Sequence, residues 1–131
     1  MTTDKKLSFI IIDDSELDCF IAEKMIRHSI PNNGITIFNA AAEALTYIKD
    51  SVVAEDETTV LLLDVLMPMM SGFIFVEEFE KLPSKVQNGY FIVALTSSMN
   101  KKDIDKICSY SSVRILIDKP ITTEALTSLP L

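Results

Sequence analysis

Five short apolar runs punctuate the chain, and after each comes a stretch with apolar residues at helical spacing. The runs are "LSFIII" at 7–12, "ITIF" at 35–38, "VLLLD" at 60–64, "YFIVALT" at 90–96 and "VRILIDKP" at 113–120. They are short and rich in β-branched and aromatic residues, so they read as strands. Between them, "SELDCFIAEKMIRHSI" sets Leu17, Phe20, Ile21 and Met25 at helical spacing, and "AAEALTYIKD" puts Ala41, Ala44, Leu45 and Ile48 on one face. "FIFVEEFEKL" does the same with Phe75, Phe79 and Leu82. "NKKDIDKICSY" predicts a short helix capped by Asn100, and "TTEALTSL" a brief last helix capped by Thr122 or Thr123. "PNNG" ends the first helix, while "SVVAEDETT" and "PSKVQNG" read as loops.

Strands that alternate with helices build a parallel sheet, and central strands that are apolar throughout need helices on both faces. Right-handed crossovers then leave few topologies. The leading one is an α/β flavodoxin-like doubly wound (βα)5 sandwich, a five-stranded parallel sheet of order 2-1-3-4-5. The sequence has no internal repeat and no linker, so residues 1–131 read as one domain with no output domain.

The net charge of -7 argues against nucleic acid as the main partner and for a cation or a basic protein surface. Asp13 and Asp14 interrupt the N-terminal apolar run too early for a signal peptide, and no stretch is long enough to span a bilayer. No membrane insertion and a cytoplasmic location are therefore expected. Cys19 and Cys108 lie far apart and read as small core residues in a reducing compartment. His28, the only histidine, reads as a structural or capping residue on the buried side of the first helix. Among Met67, Met69 and Met70, some should pack beneath their loop. Gly72 is expected to permit a backbone conformation that other residues resist.

In a doubly wound sheet, ligands bind beyond the carboxyl ends of the strands. Asp13 and Asp14 follow the first strand, Asp64 ends the third, Thr96 the fourth, and Lys119 closes the fifth. Singly, each has a plain reading: Asp13 and Asp14 as helix caps, Asp64 as a turn acid, Thr96 as a loop hydroxyl, Lys119 as a solvated lysine. Together they converge on one pocket. Three close carboxylates raise each other's pKa, and a divalent cation removes that conflict. Oxygen-only ligands favour Mg²⁺, with Mn²⁺ as a substitute. Lys119 and Thr96 supply a charge and a hydroxyl for phosphoryl oxygens, which completes a set for phosphoryl transfer onto a carboxylate.

These elements, "IIDD" at 11–14, "LLLDVLMPMMSG" at 61–72, "ALTS" at 94–97 and "DKP" at 118–120, resemble the CheY-like response-regulator receiver domain of two-component signalling. The resemblance covers essentially the whole chain, in order. It implies that Asp64 takes a phosphoryl group from a phosphohistidine on a histidine kinase or phosphotransfer protein. It also implies Mg²⁺ ligands at Asp13, Asp14, Asp64 and the backbone carbonyl of Leu66. Thr96 and Lys119 would hold the phosphoryl oxygens, Pro120 would follow a cis bond that aims Lys119, and Ser97 would be small enough for access. Such a chain is a phosphoacceptor that takes part in its own phosphorylation and dephosphorylation, not an enzyme. It would act as a stand-alone response regulator on a downstream protein target.

Three departures stand out. The family's aromatic switch position on the fifth strand is Leu116, the acid often found before Gly72 is Ser71, and only eleven residues follow Pro120. By resemblance, the residues two after Asp64 and two after Thr96 tune phosphoryl loss. Leu66 and Ser98 stand there, and an apolar Leu66 cannot orient water, so a long-lived aspartyl phosphate is expected. One rival carries weight and a second is disfavoured. The first is a degenerate receiver that binds partners without phosphate. The second is an aspartyl phosphatase, which needs an acid where Leu66 stands. A nucleotide-binding domain would need a glycine-rich turn where "DDSELD" has none.

Overall fold

The computed structural model describes residues 6–32, 34–51, 53–67, 70–97 and 100–131. In chain order the elements are β1 (Lys6–Ile12), α1 (Glu16–Ser29), β2 (Ile35–Phe38), α2 (Ala41–Lys49), β3 (Glu57–Asp64), α3 (Gly72–Phe79), α4 (Ser84–Gln87), β4 (Tyr90–Thr96), α5 (Lys101–Cys108), β5 (Val113–Asp118) and α6 (Thr123–Thr127). All strand pairs are parallel, and the sheet order is β2-β1-β3-β4-β5, as the alternation predicts. The short α4 falls in "PSKVQNG", which reads as a plain loop in sequence. Its four residues carry no apolar face long enough to signal a helix. β3 begins three residues before its apolar run, because Glu57, Thr58 and Thr59 pair with Lys6, Leu7 and Ser8.

Side chains alternate across the sheet and build two cores. On one face Ile10, Ile12, Leu61, Leu63, Ile92 and Ala94 pack under α2, α3 and α5. On the other, Phe9, Ile11, Val60, Leu62, Val93 and Leu95 pack under α1 and α6. The buried face of α2 is Ala41, Ala44, Leu45 and Ile48, as its spacing predicts.

Helix α1 covers Leu17, Phe20, Ile21 and Met25, as their spacing predicts, but spacing does not say which face is buried. Its buried residues are Cys19, Ala22 and Ile26, while Leu17 is 66% and Phe20 56% exposed. Met25 packs against the same core from its edge, and Leu17 and Phe20 face outward. His28 is exposed rather than on the buried side. Cys19 is in the core, but Cys108 is exposed at the end of α5. Gly72 is required by close approach rather than by an unusual backbone conformation. A Cβ there would stand 2.7 Å from Val65 Cα, and Gly72 N–H donates to Val65 O at 2.8 Å. Met67 is buried and Met70 packs against the core, whereas Met69 and Ser98 lie outside the described residues.

Candidate functional site

The carboxyl ends of β1, β3, β4 and β5 meet at one edge of the sheet. Register places them there: Ile12 pairs with Leu63, Asp64 with Leu95, and Thr96 with Asp118. Asp13 and Asp14 leave β1 just before α1. Neither is the helix cap, because Ser15 takes that position and accepts from the Asp18 N–H at 3.2 Å. That frees both acids for the site.

Asp13 is buried and held on three sides. Its Oδ1 accepts from the Ser15 N–H at 2.9 Å, and its Oδ2 from Lys119 Nζ at 2.7 Å. Its carbonyl accepts from Asn39 Nδ2 at 3.0 Å and from the Cys19 thiol at 3.3 Å. Burial pushes the Cys19 thiol up to about 11, so it stays protonated and serves as a small donor. Asp14 is exposed, Asp64 is buried, and oxygens of Asp13, Asp14 and Asp64 all lie within 4.8 Å of one another.

Lys119 is shared. Its ammonium lies 2.7 Å from Asp13, 2.9 Å from Asp18 and 3.5 Å from Asp64. Burial works against its charge, but hydrogen bonds to Asp13 and Asp18 and the charge of Asp64 hold its pKa above the usual lysine range. Asp64 pairs with the same ammonium at the longest distance, and its pKa is pushed up to about 6. Burial is the main cause and Asp13 the next. Lys119 and a 3.4 Å bond from the Leu66 N–H pull the other way without prevailing. A cation engaged mainly with two other acids leaves Asp64 undercompensated.

Thr96 is 2% exposed, and among the described residues its Oγ1 has no hydrogen-bond partner. A buried hydroxyl without a partner costs free energy, and its hydrogen-bonding capacity is unused. The Thr96 carbonyl accepts from the Lys119 N–H at 2.7 Å, so the two residues are tied through the backbone. The Lys119–Pro120 peptide is cis. Ser97 is exposed and lines, with Asp13, Asp18, Lys119, Pro120 and apolar residues of the core under α1 and α6, a cavity of about 240 Å³. The Leu66 side chain is exposed, and Leu116 sits partly buried opposite Ala94, packed on the core.

The sequence-predicted acids, Thr96, Ser97 and Lys119 thus meet at one edge. Asp18 and Asn39 were not anticipated. Asp18 stands in the first turn of a helix, where an acid is ordinarily explained by the helix dipole. Asn39 offered no signal beyond following β2.

The model of the response regulator receiver domain family matches residues 9–129. The chain belongs to the response regulator receiver family. Among solved structures, it is similar to a response regulator receiver protein from Dyadobacter fermentans DSM 18053, with 30% identity and a TM-score of 0.80 over 92% of this chain and 91% of that one. It is also similar to a two component response regulator from Cytophaga hutchinsonii, with 23% identity and a TM-score of 0.82 over 94% and 92% of the two chains. The Vibrio cholerae chemotaxis protein CheY4 shares the fold at 20% identity, with a TM-score of 0.71 and 93% of each chain covered. Among curated proteins none matches the chain. Receiver domains belong to two-component signalling. As a family they interact with histidine kinases and downstream targets, bind Mg²⁺ at an acidic cluster, and are not enzymes in the ordinary sense. In this receiver Asp13, Asp14 and Asp64 form an acidic group. Among the described residues no helix is long and apolar enough to cross a membrane.

Proposed function

We propose that this receiver accepts a phosphoryl group onto Asp64 from a phosphohistidine of a histidine kinase or phosphotransfer protein. An Asp64 oxygen attacks phosphorus, the phosphorus–nitrogen bond breaks, and the imidazole leaves with its electron pair and takes up a proton. Hydrolysis of the acyl phosphate returns the carboxylate and inorganic phosphate. The observation that carries this reading is the orphaned Thr96 hydroxyl, at the same sheet edge as a buried, undercompensated Asp64 within 3.5 Å of Lys119. Lys119 and Thr96 would take the phosphoryl oxygens, and Ser97 leaves the approach open.

The acids fit a divalent cation. Ligand distances of about 2.1 Å place oxygens of one Mg²⁺ shell no more than about 4.2 Å apart, and the three acids already gather within 4.8 Å. Asp13, Asp14, Asp64 and the Leu66 carbonyl would hold Mg²⁺, or Mn²⁺ in its place. A bound cation supplies neutralising charge for the carboxylates and the phosphoryl oxygens together. The signal would leave by protein contact, and the exposed Leu17 and Phe20 of α1 are available to a phosphodonor protein. Exposed Leu66 offers incoming water no hydrogen bond, which supports a slowly hydrolysed phosphoryl group.

Leu116 favours a second reading. It packs on the core without a hydroxyl that could follow Thr96, as expected of a module that binds partners without phosphate. Incubation with acetyl phosphate, with and without Mg²⁺, separates the two. A Mg²⁺-dependent mass gain of one phosphoryl group in wild type, absent in Asp64→Asn, is expected. Absence of that gain, with no binding of beryllofluoride or Mg²⁺, would leave the phosphate-independent module.

A further inference from the structure

The sequence "SELD" opens α1 in the pattern of a capping box, in which the acid at the third helical position reaches back to the N–H of the cap residue. Only half of the box is formed here, the Ser15 hydroxyl accepting from the Asp18 N–H at 3.2 Å. The Ser15 N–H is taken by Asp13 Oδ1 at 2.9 Å, and the Asp18 carboxylate turns instead to Lys119 Nζ at 2.9 Å. Lys119 is only 13% exposed, whereas Asp18 is 39% exposed. A half-exposed acid therefore anchors a nearly buried cation from the rim of the site.

Resting on the phosphoryl-transfer reading above, we propose that Asp18 is a positioning residue for Lys119. Lys119 and a divalent cation compete for Asp13, whose Oδ2 the ammonium holds at 2.7 Å. Asp18 gives the ammonium a second acceptor, so that Asp13 can turn to the cation without leaving Lys119 unpaired. The same acceptor works against the phosphoryl group, because it draws the ammonium toward α1 and adds a negative charge near the phosphoryl oxygens. Asp18 thus favours cation binding and restrains phosphoryl binding. A residue that merely supported the fold would help both.

The test uses wild type, Asp18→Asn, Asp18→Glu, Lys119→Met and the double variant Asp18→Asn/Lys119→Met. Calorimetry measures Mg²⁺ affinity, then beryllofluoride affinity at saturating Mg²⁺, in about 0.5 M salt to screen exposed charges. Asp18→Asn is expected to weaken Mg²⁺ binding about five-fold and to tighten beryllofluoride binding by a similar factor, the scale of a partly desolvated pair of about 1 kcal/mol. Asp18→Glu keeps the charge and should restore both constants to within about two-fold of wild type. In the Lys119→Met background both shifts should shrink to less than half on a logarithmic scale. Equal shifts in that background would make Asp18 a simple charge, and would overturn its action through Lys119. Unchanged constants in Asp18→Asn, or two constants weakened together, would also overturn it while leaving the phosphoryl reading intact. A wild-type chain that bound neither Mg²⁺ nor beryllofluoride would remove both.

Discussion

Asp64 has two acids and one ammonium as neighbours, and the ammonium is closer to Asp13 and Asp18 than to Asp64. Its carboxyl is therefore pushed up from 3.8 to about 6. Between those two values the folded chain holds a proton on this group that the unfolded chain has released. Asp64 thus costs nothing at low pH, and its ionisation destabilises the metal-free fold as pH rises through about 6. Asp64→Asn removes that cost. In metal-free buffer the variant should unfold at higher urea than wild type, by about 1–2 kcal/mol at pH 7.5. The gap should close near pH 4. Urea midpoints at the two pH values check this, and a gap independent of pH would show that ionisation of Asp64 is not its source.

At the level of elements, the sheet was legible because its strands are nearly continuous apolar runs, and their order follows from alternation and handedness. Convergence of Asp13, Asp64, Thr96 and Lys119 was legible for the same reason, since each closes a strand. The buried face of helix α1 was not legible, because the helix carries apolar residues on more than one face. Leu17, Phe20, Ile21 and Met25 keep helical spacing, yet of these four Met25 packs against the core while Leu17 and Phe20 face outward. Cys19, Ala22 and Ile26 are the residues that pack. Asp18 carried no separate signal, because only the half-formed capping box, seen once Ser15 is placed, distinguishes it from an ordinary first-turn acid. The register of α1 has a direct consequence. Ile26→Ala should cost about 3 kcal/mol through a buried cavity, whereas Phe20→Ala should cost less than about 0.5 kcal/mol. Chemical denaturation of the two variants checks this, and similar losses would place Phe20 against the core.

For the whole molecule, the site exists only when the fold does. Lys119 and Asp13 are 106 residues apart in sequence; β1 must pair with β3 before the acids gather, and β4 and β5 must join the sheet before Thr96 and Lys119 meet them. An unfolded chain offers a cation scattered carboxylates of little affinity, so Mg²⁺ that binds the folded site must stabilise the fold by linkage. At about one hundred times its dissociation constant the gain is about 2.7 kcal/mol. The acidic net charge of -7 also lets any salt relieve repulsion, so the measurement needs Na⁺ at matched ionic strength as its reference. The excess stabilisation by Mg²⁺ should be full at pH 7.5 and should fall as pH drops below about 6, where Asp64 takes up its proton. It should be largely lost in Asp13→Asn, the variant that removes the buried acid shared between the cation and Lys119. If Mg²⁺ stabilises that variant as much as wild type, the cation binds elsewhere on the acidic surface, and the cluster at the strand ends is not its site.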